Sequence, residues 1–410
     1  MIAYNLFIFI LCAIPVFLSI ISLIKVGIKP FSLFNIVFFI IFVVPILLDM
    51  SNGIPQYSLF PIFYEVSSNS GTNILYSFFL IFGSWYFWIF RGKETIDLGR
   101  TALGKNFDIF LIIITILPNL YFLLFFENKQ KYYDYGGAAV RNFNELEAFQ
   151  HSIMSSLTIL SVIICGYLIS KYFKKSIVMI VFLLAITFLD FWLNGKRAIV
   201  IFFIASYSLF IFLKYKNLKS ILSILCLCFC FGIYTNWYQS NVREFDATVS
   251  FNEKYENLRV DYFRDQRVKM AIYAEIYPER VKILAYRGQS FLMLMTFYIP
   301  RDIWPEKPLT YAQYFTSAMY NMEPTAFGWG MTTTFFDESI ANLSWFGLIF
   351  PFIFFSLFIN EAKKTGSKFF IIYSTILILI MMTVQVLAFI ILFLLWFFWF
   401  IKLKFLKKSM

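Results

Sequence analysis

The chain has 410 residues, of which 60% are hydrophobic and only 14% charged, so several of its apolar runs must lie in a bilayer. Its formal net charge of +11 does not mark a nucleic-acid binder, because the basic residues form short clusters at the ends of apolar runs and no Lys/Arg tract forms a patch. The five cysteines, Cys12, Cys165, Cys226, Cys228 and Cys230, all fall inside apolar runs, which argues against disulfides or a zinc site.

Eleven spans are predicted. The first, about 2–24, has no basic segment ahead of it and no small-residue cleavage site, so it is expected to stay as a helix. The second covers about 31–48 and precedes a loop, 49–73, without Lys or Arg. The next six cover about 74–90, 108–126, 152–170, 176–193, 198–213 and 220–236. A ninth covers about 339–359. The apolar run 369–401 is too long for one span at the rise of a helix, so it is split near Gln385 into the tenth and eleventh.

Alternate loops carry the Lys-rich clusters, which predicts an outside N-terminus, an inside C-terminus and an outside loop at 237–338. The fold class is thus an all-α polytopic membrane protein in three parts. Residues 1–236 hold eight spans, 237–338 form one long, partly helical external loop, and 339–410 hold three spans and a basic cytoplasmic tail. One short turn, carrying Lys196 and Arg197, breaks the charge pattern by falling outside.

Within the long loop, 251–277 reads as one helix, with Asp265 and Lys269 paired at i,i+4 and Arg264 and Arg267 on a shared face. Pro278 is placed to open another helix. Residues 290–299 are apolar but about half the length of a span, which suits the interface or a re-entrant segment. Pro300, Pro305 and Pro308 then exclude regular helix, and Gly328 and Gly330 flank Trp329 in a turn.

The loop carries Arg243, Arg259, Arg264, Arg267, Arg280, Arg287 and Arg301, an excess of positive charge on the outer side. Guanidinium groups recognise phosphate oxygens in a bidentate way, so a bound lipid pyrophosphate would account for them; pairing with the loop's own acids or with lipid headgroups is the alternative. Arg301 sits on rigid backbone between Pro300 and Trp304-Pro305, suited to a sugar or a phosphate, or to an Arg–Trp clamp that folds the loop. Asp337 or Glu338 could act as a general base toward a sugar hydroxyl. The competing reading is a helix cap, since Thr334 and Asp337 have capping-box spacing. Asp190, Asn194 and Arg197 share one face if the sixth helix persists through Gly195, and ionisable groups at membrane depth are functional candidates. Snorkelling of Lys196 and Arg197, with Asp190 as partner, is the alternative. His151, the sole histidine, is read as solvated at the outer end of the fifth span.

The order Arg264-Asp265, Tyr286-Arg287-Gly288-Gln289-Ser290, Ile299-Pro300-Arg301 with Trp304-Pro305-Glu306-Lys307-Pro308, Gly330-Met331-Thr332-Thr333-Thr334, Asp337-Glu338 and Asn342 resembles the Wzy oligosaccharide repeat-unit polymerases. These are the O-antigen and capsule polymerases, and the likeness covers 260–347. The resemblance implies a GT-C-type membrane glycosyltransferase of the bacterial cytoplasmic membrane. Such an enzyme joins a glycan on undecaprenyl pyrophosphate to the next lipid-linked repeat unit, on the outer face. It implies lipid-linked glycans, membrane lipids and a chain-length regulator protein as partners, with no metal, nucleotide sugar or other cofactor. Under it, Arg301 and Arg287 serve catalysis with Glu338 or Asp337. Arg264, Asp265, Lys196, Arg197, Trp304 and Lys307 would hold substrate pyrophosphates. The related O-antigen ligases use an outer-loop histidine that this chain lacks, which favours polymerase over ligase. The alternative class is a lipid-linked oligosaccharide flippase or other transporter, which would place polar residues at mid-membrane.

Overall fold

A computed structural model describes residues 2–27, 29–90, 92, 105–127, 129–132, 145–173, 175–215, 218–241, 250–326 and 330–408. Among the described residues, regular structure is helical throughout. The helices are α1 (Ile2–Lys25), α2 (Pro30–Phe38), α3 (Val44–Asn52), α4 (Pro61–Ser68), α5 (Ser70–Ile89), α6 (Lys105–Phe125), α7 (Glu145–Tyr172), α8 (Ile177–Asn194), α9 (Ala198–Tyr215), α10 (Leu218–Asn241), α11 (Phe251–Tyr262), α12 (Asp265–Ile276), α13 (Gln289–Thr296), α14 (Tyr311–Met319), α15 (Phe335–Leu343), α16 (Phe350–Lys364), α17 (Lys368–Met381) and α18 (Ile390–Lys408).

Seven of the helical stretches are long and apolar enough to cross a bilayer, and α15 with α16, bent by 93°, make an eighth if taken as one broken span. The protein is therefore a multi-pass membrane protein. Three shorter apolar helices, at 198–208, 225–238 and 370–381, stand where further spans are expected from the sequence.

The chain forms two compact units, Met1–Asp97 with Ser250–Met410, and Leu98–Val249. In the first, α1 packs on α2, α3 and α5, and α12 packs on α4, α5 and α15. Its core is built of phenylalanine rings: Phe38, Phe42, Phe79, Phe336 and Phe352 meet at centroid distances of 5.1–6.0 Å, mostly edge-on or tilted as ring quadrupoles prefer. Gly83 makes room for them, since a Cβ there would lie 2.7 Å from the Phe38 ring and 2.8 Å from Phe352.

The second unit is held by α7, which packs on α6, α8 and α9 around Val162, Cys165, Leu168, Leu183, Ile199 and Ile211. Gly166 lets α7 approach α9 closely, because a Cβ there would meet the Tyr207 backbone at 2.9 Å.

Four local expectations meet the structure directly. The run 369–401 does break at Gln385, whose extended backbone (φ −63°, ψ 147°) precedes a short 3-10 turn. α17 and α18 then run antiparallel, pinned by Tyr373 Oη on Leu392 O and Trp396 Nε1 on Ser374 Oγ, each at 2.6 Å. The single helix expected over 251–277 is instead two, interrupted at Phe263 (φ −104°, ψ 163°). No helix starts at Pro278, where the chain turns. The expected ninth span is not continuous either: α15 ends at Ser344, which takes a left-handed φ of 55°.

Candidate functional site

The long loop is anchored in the first unit through a proline effect. Pro45 has no N–H to give the carbonyl of Ile41 four residues earlier, and the chain there widens into a π-turn over Phe39–Val43. Carbonyls at this turn take partners from other elements. Ile41 O accepts the Arg264 backbone N–H at 3.5 Å, and Phe42 O accepts Tyr76 Oη at 2.8 Å. Arg264 also donates from Nε to Thr383 O (3.0 Å), a carbonyl exposed by the α17 break, and from Nη1 to Asp261 O and Phe263 O (2.9 and 2.8 Å). This one residue gives partners to backbone carbonyls at two broken elements, which buried backbone acceptors require.

A buried charge network lies beside it. Arg259, with a fully buried side chain, donates to Asp49 Oδ1 and, at 2.6 Å, to Asp265 Oδ2. The Asp49 carboxylate also accepts from Tyr255 Oη at 2.9 Å. Lys269 completes the group at 3.6 Å from Asp265, the i,i+4 pair expected from the sequence. Burial pushes the Lys269 ammonium down to about 8, and the Asp265 carboxylate works against that shift. Buried Arg267 donates to Phe263 O (3.1 Å), Val260 O (2.7 Å), Thr332 O (3.3 Å) and Gln266 Oε1 (3.2 Å). It also lies within electrostatic reach of Asp337.

Asp337 and Glu338 sit side by side on α15 in different roles. The Thr334–Asp337 capping box forms: Asp337 Oδ1 accepts the Thr334 N–H at 2.8 Å and its hydroxyl as well. Glu338, 2% exposed, accepts the Ser290 hydroxyl of α13 on Oε1 at 2.9 Å. Asn342, one turn further along α15, donates to Ser290 Oγ at 2.7 Å. Asp337 Oδ2 and Glu338 Oε2 have no hydrogen-bond partner among the described residues. The α15–α16 turn is tight enough that a Cβ on Gly347 would overlap the Ser339 carbonyl.

Arg287 reaches the same helix from the loop. Its fork closes on the Glu275 carboxylate, with Nη2 at 2.8 Å from Oε2, while Nη1 donates to Ala341 O at 2.8 Å. The Arg287 side chain remains 56% exposed.

Arg301 and Lys307 fold their own turn. Arg301 donates to Lys307 O (2.7 Å) and Pro308 O (3.2 Å), and Lys307 Nζ donates to Phe297 O (2.9 Å) and Ile299 O (2.8 Å). Trp304 is half-buried within this segment.

In the second unit, α8 stops at Asn194 and Gly195 takes the left-handed C-cap conformation (φ 66°), so the continuous face expected for Asp190, Asn194 and Arg197 is interrupted. Asp190 is buried and accepts from Ser161 Oγ and, at 3.2 Å, from Asn119 Nδ2. Asn194 binds Ser155 Oγ and Thr158 Oγ1, each at 3.0 Å. Buried Arg197 stacks over Tyr238 at 5.2 Å, and Lys196 is exposed. His151 is not solvated: it is buried, with Nδ1 2.9 Å from Tyr132 Oη.

The structure thus gathers Arg264, Asp265, Arg267, Arg287, Asp337 and Glu338 on α12, α15 and the segments joining them. Arg301, Trp304 and Lys307 form a separate turn of the same unit, and Lys196 and Arg197 belong to the other unit. Arg243, Gly328 and Trp329 lie outside the described residues. Sequence reasoning missed the anchoring roles of Arg259, Asp49 and Glu275, and the contacts of Ser290 and Asn342. One readable signal was Ser250 with Glu253, whose capping box opens α11. No protein-family model, curated protein or solved structure matches the chain.

Proposed function

We propose that this protein is a membrane glycosyltransferase that polymerises undecaprenyl-pyrophosphate-linked oligosaccharide units on the outer face of the bacterial cytoplasmic membrane. The reading includes a GT-C-like arrangement of eleven spans with the 237–338 loop outside. The observation that carries it is Glu338: a buried carboxylate with one oxygen held by Ser290 and the other without a partner among the described residues. A carboxylate so placed suits removal of a proton from an attacking hydroxyl.

The step balances without a further reactant. The acceptor sugar oxygen bonds to the donor's anomeric carbon, and its proton passes to Glu338. The bond from that carbon to the phosphate oxygen breaks, and undecaprenyl pyrophosphate leaves with the electron pair. Arg287, the arginine at α15 with an exposed side chain, is suited to the negative charge that develops on the leaving group. Arg301 and Lys307 already donate to backbone carbonyls of their own segment, and Arg264 and Asp265 act by holding α12.

The test is the surface glycan of a strain whose chromosomal copy carries Glu338→Gln at normal protein level. Single repeat units are expected to persist while longer chains disappear; a normal ladder contradicts the reading. A transporter is the second reading, favoured by Asp190, buried within a candidate span. In a deletion strain, loss of every exported unit would support transport, and export of single units supports polymerisation.

A further inference from the structure

α15 presents Glu338 and Asn342 one helical turn apart, on one face. That face meets the start of α13, where Gly288 takes a φ of 79° and turns the chain so that Ser290 points at both residues. The start of α13 is fixed independently by Gln289, which accepts the Ala285 N–H at 2.9 Å and donates to Tyr314 Oη at 2.8 Å.

The hydrogen bonds here have only one consistent direction. The Asn342 amide nitrogen can only donate, and it donates to Ser290 Oγ and to the Glu338 backbone carbonyl, both at 2.7 Å. Asn342 Oδ1 accepts the Ser290 backbone N–H at 3.2 Å, which fixes which way the amide faces. The Ser290 hydroxyl has a single proton, and its partner for it is Glu338 Oε1, at 2.9 Å. Oε1 is therefore an acceptor in either protonation state of the carboxyl group. Protonation of Glu338 is therefore favoured on Oε2, the oxygen without a partner among the described residues.

We infer that Ser290 and Asn342 are positioning residues that hold Glu338 so that Oε2 alone receives the proton of the attacking sugar hydroxyl. This rests on the polymerase reading above. The relay Asn342 N–H to Ser290 O–H to Oε1 transfers nothing itself. It sets the plane of the carboxylate, and a misplacement of about 1 Å in such a group can cost about a hundredfold in rate.

The experiment is steady-state kinetics of the purified full-length protein on a defined undecaprenyl-pyrophosphate-linked repeat unit, with thermal unfolding measured on each variant. Ser290→Ala and the near-isosteric Ser290→Cys, whose thiol is a weak donor, are expected to lower kcat about tenfold to a hundredfold. KM should change less than twofold, and Ser290→Thr, which keeps the hydroxyl, should restore most of the rate. Ser290→Cys guards against an Ala variant that fails to fold. Wild-type kcat in a folded Ser290→Cys protein overturns the inference while leaving the polymerase reading standing. So does a loss of rate that Ser290→Thr does not recover. A wild-type protein that extends no lipid-linked unit removes both.

Discussion

At the scale of single residues, the first unit is built on charges that have left water. Arg259 is the clearest case, because its guanidinium is wholly buried between Asp49 and Asp265. Removing one partner of such a group leaves the others buried without compensation, which costs about 3–5 kcal/mol. Arg259→Met is therefore expected to lower thermal stability in detergent sharply, whereas Arg280→Met, at an exposed pair with Glu65, should leave it nearly unchanged. Equal effects from the two would show that the buried network does not anchor the loop. Lys269 gives a pH test. Its folded pKa, about 8, lies below its unfolded value, so the unfolded chain binds more protons in the interval between them. Stability contributed at this site must then rise with pH through that interval. The difference in Tm between wild type and Lys269→Met should grow in favour of wild type from about pH 7.5 to about pH 9.5. A difference that is flat or shrinks contradicts the burial of this ammonium.

At the scale of elements, what could be read from the sequence depended on where the cause of each break lies. The split of 369–401 was legible because length alone forbids a single span. The Asp265–Lys269 pair and the Thr334–Asp337 cap were legible because both are local spacings. The break between α11 and α12 was not: 251–277 has good helical pattern, and the Arg264 N–H at the break instead meets the carbonyl of Ile41, more than 200 residues away, a partner no local spacing reveals. The α15–α16 bend was hidden for a related reason. Its left-handed residue is Ser344, not a glycine, and the closeness that needs Gly347 is to Ser339 on the neighbouring helix. Gly347→Ala is expected to force that turn open, destabilise the protein by about 1–3 kcal/mol and displace Glu338 from Ser290. The check is Tm together with polymer length in cells. Unchanged values for both would mean the turn tolerates a methyl group and does not set the site.

For the whole molecule, composition gave the membrane class and most span positions, but not the grouping of the chain. The loop between 250 and 338 belongs with the first and last helices, while 98–249 form a unit of their own. This rearranges the candidates. Glu338, Asp337, Arg287 and Arg267 meet around α15. Lys196 and Arg197 occupy a turn of the other unit, while Arg301 donates to carbonyls of its own Pro300–Pro308 turn and Lys307 donates to carbonyls at the end of the preceding segment, Phe297 O and Ile299 O. Under the proposed function, the polymerisation step therefore rests on the carboxylate of α15 rather than on the arginine of the proline turn. The most direct measurement is incubation of purified protein with a defined undecaprenyl-pyrophosphate-linked repeat unit, with the products resolved by length. Wild-type protein should yield a ladder with release of undecaprenyl pyrophosphate, and Glu338→Gln, folded to the same Tm, should yield only the starting unit. A ladder of normal length from Glu338→Gln, or none from wild type, would contradict the account.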